Sequence, residues 1–107
     1  MSELERDIQP RIIKKLERRL PGVRIFKGDT RYKQGTPDLI ILYKDRWAML
    51  EVKKDSHAPR RPNQQYYVDV LNTMSYAALI HPENEEDILD GVQRALQAER
   101  CPRISQP

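Results

Sequence analysis

The sequence predicts an α/β domain with its elements in the order αβββαβα. Three observations lead there. Leu4, Ile8, Ile12, Leu16 and Leu20 recur every four residues, which is one apolar face of a helix. DLIILY (38–43) and WAMLEVK (47–53) are short apolar runs rich in strand formers on either side of a polar turn, which reads as a hairpin. Beyond them a helix from Pro62 to about Met74 leads into a strand, YAALI (76–80), and a last helix, ENEEDILDGVQRAL (83–96).

Taken in order, the first helix contains Pro10, which removes a backbone donor and crowds the preceding turn. Either the helix kinks there or its regular part begins near Pro10. Pro21-Gly22 ends it, and VRIF (23–26) is a short strand. KGDTRYKQGTP (27–37) is a loop, and KDSHAPRR (54–61) another. The 38–43 run is apolar on both faces, as in a central strand. Pro62 suits the first position of a helix. The early acids of the last helix favour its positive N-terminal end. With 107 residues and no repeats or low-complexity linker, the chain is expected to form one domain over 1–100 with a polar tail over 101–107. The spatial order of the strands is not legible at this level.

Composition narrows the class. Apolar residues make up 38% and charged residues 33%, a globular balance with a hydrophilic surface. No run is apolar enough to span a membrane, and MSELERDIQP is too acidic for a secretory signal. Cys101 is the single cysteine, so no intramolecular disulfide forms, and a cytoplasmic setting is expected. Net charge is +3, unevenly placed. Residues 24–61 hold ten Lys/Arg against five Asp/Glu, whereas residues 81–99 hold six acids against Arg94. A basic middle suits a polyanion such as nucleic acid; an ordinary solvated surface is the alternative.

The hairpin carries charges that a core element does not need. Glu51 and Lys53 are two apart on one strand and share a face, and Asp38 opens the neighbouring strand. A two-residue turn at Lys44–Asp45 puts Asp38 opposite Glu51, and one at Asp45–Arg46 puts it opposite Lys53. A three-residue turn without a bulge sends Asp38 to the other face, and the turn residues do not choose among the three. Two carboxylates and a lysine on one face suit Mg²⁺ or Mn²⁺, hard ions that keep several waters and also bind a substrate phosphate. With the lysine's charge beside them, such a set can hydrolyse a phosphodiester. A salt-bridged strand end is the competing reading.

TPD, thirteen residues from Asp38 to Glu51, then EVK, resembles the PD-(D/E)xK nuclease motif. QGTPDLIIL, EVKK, RPNQQYY and HPENEEDILD together resemble the small stand-alone VRR-NUC nucleases, many encoded by bacteriophages. The resemblance implies a restriction-endonuclease-like mixed sheet flanked by helices and metal-dependent DNA cleavage, on duplex or branched DNA. It implies Asp38 and Glu51 as metal ligands with the Val52 carbonyl, and Lys53 as the catalytic lysine. It also implies a glutamate on the first helix, for which Glu5 fits best and Glu3 and Asp7 compete; Pro10 departs from the family pattern at this turn. It implies a glutamine after the motif strand, which is Gln64. Helical periodicity agrees independently, because Gln64 lies with Tyr67, Val68 and Leu71, whereas Gln65 lies with Asp69 and Asn72. A homodimer, and an intracellular setting in a phage or prophage host, follow from the resemblance alone.

Lys27, Arg31, Lys33, Lys54, Arg60 and Arg61 are candidate phosphate contacts. His57 reads as an ordinary exposed loop histidine, with phosphate contact the alternative; no His/Cys set has zinc spacing, and no organic cofactor is indicated. Two other classes remain: a binding module of the same fold that no longer cuts, against which the intact Asp38–Glu51–Lys53 set speaks, and a ribonuclease, since the motif reads metal and phosphate but not the 2′-OH.

Overall fold

In a computed structural model, residues 5–28, 37–58 and 62–98 are described. They form α1 (Glu5–Arg19), β1 (Arg24–Lys27), β2 (Leu39–Tyr43), β3 (Arg46–Val52), α2 (Pro62–Met74), β4 (Tyr76–Ile80) and α3 (Glu85–Gln97), with a 3-10 turn at Pro82–Asn84. The four strands lie side by side in chain order. β1, β2 and β3 pair antiparallel, and β4 joins β3 in parallel. This is the mixed sheet flanked by helices that the resemblance implied.

The i, i+4 repeat of α1 does what its spacing predicts. Ile8, Ile12, Leu16 and Leu20 are all fully buried. They meet Leu39, Ile41, Ala48, Leu50 and Val52 of the sheet and Leu89, Val92 and Leu96 of α3 in one core. The late start near Pro10 is not found: α1 is one helix from Glu5 with Pro10 inside it. The ring sits in the second turn on an exposed position, where a single backbone hydrogen bond is forgone. Gly22, at φ +90°, takes the left-handed conformation that turns the chain from α1 toward β1.

α1 and α3 cover one face of the sheet, and ion pairs join them to each other. Arg11, Lys15 and Arg19 are four apart on α1 and face Glu85, Glu86 and Asp90 of α3, with N···O distances between 2.6 and 2.9 Å. Glu85 is the buried member, 4% exposed. Arg11 grips it with two nitrogens, at 3.2 and 2.6 Å, and Lys15 reaches it at 2.6 Å. Burial pushes the Glu85 carboxyl up, but hydrogen bonds from Arg11 and Lys15 outweigh it and hold the group below its ordinary 4.5.

A depressed carboxyl stabilises the fold fully above its unfolded value and loses that contribution as pH falls through the lower folded value. Stability is therefore expected to decline below about pH 4.5 in part through Glu85. Arg11 and Lys15 remain about a third exposed and regain water when the acid is removed. Glu85→Gln should then cost about 1–2 kcal/mol at neutral pH, with the gap closing in acid. Urea unfolding at a series of pH values measures this; a pH-independent gap contradicts it.

Candidate active site

The hairpin turn decides the site. Tyr43 pairs with Arg46, leaving Lys44–Asp45 as a two-residue turn, and the ladder then runs to Leu39 opposite Leu50. One step further, Asp38 stands across from Glu51. Lys44 has φ +56°, the left-handed region that such turns require at their first position. No Gly or Asn marks it, which is why the residues alone left the register open.

The two carboxylates hold each other's strands. Asp38 Oδ2 accepts from the Val52 backbone N–H at 2.9 Å, and Glu51 Oε1 accepts from the Asp38 N–H at 3.2 Å. Glu51 is 3% exposed and Lys53 8%. Gln64, in the first turn of α2, lies between them. Its Nε2 donates to Glu51 Oε2, and its Oε1 accepts from Lys53 Nζ at 2.8 Å. Lys53 Nζ is 3.7 Å from Glu51 Oε2. Burial pushes the Asp38 carboxyl up, against the Val52 N–H, the charge of Lys53 and a hydrogen bond with Glu51, which pull it down. Asp38, Glu51, Lys53 and Gln64 thus form one connected polar cluster, with Glu51 and Lys53 buried and Asp38 and Gln64 half-buried.

Pairing β3 with β4 in parallel brings their C-terminal ends together. The Lys53 N–H donates to the Ile80 carbonyl at 2.8 Å. The segments that follow meet as well: Glu83 Oε2 accepts from the Ser56 N–H at 3.1 Å and from its hydroxyl at 3.0 Å. Those bonds hold the Glu83 carboxyl down at about 2. Glu83 Oε1 is 3.3 Å from Nδ1 of buried His81. The link ties the loop after the motif strand to the turn after β4. Sequence reading missed it, because nothing in the chain says that β3 and β4 are parallel neighbours.

Other candidates are placed less fully. Lys27 and Lys54 are exposed, and so is Asp7. Glu5 begins α1, but its side chain lies outside the described residues, as do Glu3, Arg31, Lys33, Arg60, Arg61 and Cys101. His57 is exposed, its N–H donating to Asp55. Clefts of about 480 and 430 Å³ lie at the far end, by the α3 C-terminus and the Lys44–Asp45 turn, away from the carboxylates.

Among the described residues no group of three or more His, Cys, Asp or Glu side chains gathers. Two carboxylates on adjacent strands, with the Val52 backbone between them, are a sparse all-oxygen donor set. That set fits a hard cation which keeps part of its water shell, and it does not fit a closed four-ligand zinc site.

No family model matches the chain, and no curated protein matches it. A solved structure described as a VRR_NUC domain is similar to it, with a TM-score of 0.57 and 19% identity over 76% of this chain and 92% of the other. The chain therefore has the fold of a VRR_NUC domain.

Gln64 and Gln65 differ in what their loss should do. Gln65 donates to Asp69 at 2.9 Å on the outer side of α2. Gln64→Ala removes the bridge between two buried charges and should cost about 1–2 kcal/mol. Gln65→Ala should stay within about 0.5 kcal/mol. Chemical denaturation of both variants tests this, and a reversed order would place the wrong glutamine against Glu51.

Proposed function

We propose that this chain is a nuclease of the PD-(D/E)xK kind that hydrolyses DNA phosphodiesters with Mg²⁺ or Mn²⁺. The observation that carries the reading is the cluster itself: Asp38, Glu51, Lys53 and Gln64 in one hydrogen-bonded group at the end of two paired strands. The fold shared with a VRR_NUC domain supports it.

Each residue has a part in the proposed reaction. Asp38 and Glu51, with the Val52 carbonyl and an acid from α1 such as Glu5, would hold the cation. When bound, the cation supplies Lewis acidity toward the phosphoryl oxygens and makes water a better nucleophile. In the hydrolysis a water oxygen bonds to phosphorus as one ester P–O bond breaks, and the proton released by the water ends on the departing oxygen. Lys53 sets a fixed positive charge beside the position where negative charge builds. Gln64 holds that ammonium in place, so the site need not reorganise as the reaction proceeds. Lys27, Arg31, Lys33, Lys54, Arg60 and Arg61 would contact the phosphates on either side.

The reading extends to duplex or branched DNA as substrate, to two copies of the chain acting together, and to an intracellular setting of the phage or prophage-host type. No described helix is long and apolar enough to cross a membrane.

Isosteric substitutions are the right probes, because truncating Glu51 strands buried Lys53. Asp38→Asn, Glu51→Gln and Lys53→Met should each lower cleavage by about 100-fold or more. EDTA should abolish cleavage, and Mg²⁺ or Mn²⁺ restore it. Calorimetry should show Mn²⁺ binding by the native chain that is lost in Glu51→Gln. The cleavage assay runs on linear, circular, single-stranded and four-way-junction DNA and on RNA; full activity of folded Glu51→Gln overturns the assignment, and cleavage of RNA alone overturns the substrate.

Binding follows from the same reading. Log affinity for DNA should fall linearly with log salt. Replacing Arg60 and Arg61 by Ala should lower that slope by about two and weaken different sequences alike. Affinity that ignores salt would leave the basic middle as plain surface.

A further inference from the structure

The turn after the motif strand has an anchor that the proposed chemistry does not use. At Lys53 the chain is still held to the sheet, its N–H on the Ile80 carbonyl at 2.8 Å. Asp55–Ala58 then close a tight turn. The Asp55 side chain accepts from the His57 N–H at 2.8 Å, and the Asp55 carbonyl accepts from the Ala58 N–H at 3.3 Å. Within that turn Ser56 gives both its N–H and its hydroxyl to Glu83 Oε2, at 3.1 and 3.0 Å. Lys54 stands between these two fixed points, and it is exposed.

Glu83 is itself firmly placed, in the 3-10 turn Pro82–Asn84. Asn84 closes that turn. Its side-chain oxygen accepts from the His81 N–H at 2.9 Å, its own N–H donates to the His81 carbonyl at 3.1 Å, and its amide donates to the Leu79 carbonyl at 3.2 Å. Glu85, Glu86 and Asp90 answer cations of α1, whereas Glu83 answers a backbone amide and a hydroxyl. Its carboxyl is held down at about 2, so it is fully charged at neutral pH. Among the described residues the buried His81 Nδ1 finds no hydrogen bond, although Glu83 Oε1 lies 3.3 Å away. The carboxylate is aimed at Ser56 instead, and a buried polar atom left without a hydrogen bond calls for a reason. An acid is also the wrong charge to hold two residues from Lys54, if charge toward a polyanion were all that mattered there.

We propose that Glu83 is a positioning residue: by clasping Ser56 it fixes the turn after the motif strand and so presents Lys54 to a substrate phosphate. The proposal rests on the nuclease reading above and adds how that site grips DNA. A backbone pinned on both sides of Lys54 removes part of the freedom that binding would otherwise have to freeze. The clasp acts on grip rather than on chemistry. Without it Lys53 keeps Gln64 and the Ile80 carbonyl, and Gln64 keeps Glu51.

The test sets position against charge. Removing an acid near bound DNA tightens binding on electrostatic grounds; removing a clasp weakens it. Glu83→Ala should weaken binding of a labelled DNA duplex in EDTA by about five-fold. In Mg²⁺ it should raise KM to match, with kcat within about two-fold of native. Glu83→Gln keeps an acceptor for Ser56 and should restore native affinity. Ser56→Ala, which loses the hydroxyl but not the N–H, should fall between. In a Lys54→Ala background Glu83→Ala should weaken binding no further, because the residue it positions is gone. Hydrogen exchange reads the clasp without DNA: the Ser56 amide should lose protection in Glu83→Ala and keep it in Glu83→Gln. Tighter binding in both Glu83 variants leaves a bare charge effect and overturns the proposal. So does a fall in kcat at native KM, or the same loss of affinity with Lys54 absent. A native chain that binds no DNA overturns it together with the DNA reading. A chain that shows the expected binding pattern but cuts nothing refutes the nuclease reading alone, and one that cuts with Glu83→Ala at native KM refutes the clasp alone.

Discussion

Everything at the candidate site hangs on the two-residue turn at Lys44–Asp45. Side chains on a strand alternate between faces, so a slip of one residue in the pairing moves a whole set to the other side. With Tyr43 opposite Arg46, the apolar set Leu39, Ile41, Leu50 and Val52 points at α1 and α3. The same register puts Asp38 within hydrogen-bonding reach of both Glu51 and the Val52 backbone. Core and site are thus two faces of one pairing, and neither can shift without the other. The left-handed Lys44 is a local cost that this double constraint offsets.

Burying Glu51 and Lys53 is unfavourable for each alone, because either charge loses its water. The cluster answers this with hydrogen bonds as well as with the ion pair. Gln64 gives its amide hydrogen to one charge and its carbonyl to the other, so both are satisfied by a neutral group that has few ways to sit. Such a network is rigid because leaving any member unpaired is expensive. A rigid set of charges is also what electrostatic catalysis needs, since its dipoles are aimed before the substrate arrives.

The charge asymmetry along the chain divides in the structure, among the described residues, into paired and unpaired sets. Glu85, Glu86 and Asp90 pair with Arg11, Lys15 and Arg19 across the α1–α3 interface, so they hold the fold together. Among the described residues, the exposed cations Lys27 and Lys54 lie outside that set of ion pairs. A net charge near +3 therefore understates how basic the middle of the chain is for a ligand approaching the sheet.

What the sequence determined by itself is the local content. The spacing of Ile8, Ile12 and Leu16 marks the buried face of α1, and the phase of α2 sends Gln64 inward and Gln65 outward, because helical period and apolar burial act over a few residues. The runs around Asp38 and Glu51 mark the hairpin for the same reason. Pairing was not legible: Lys44 lacks the glycine or asparagine that announces a tight turn, and the parallel partnership of β3 with β4 joins residues on opposite sides of α2. That partnership brings Ser56 to Glu83, and Leu42 stands 39% exposed on a strand that the sequence read as central, with both faces apolar. Which faces are covered depends on where three helices land on one sheet, a sum of long-range contacts that no local pattern encodes.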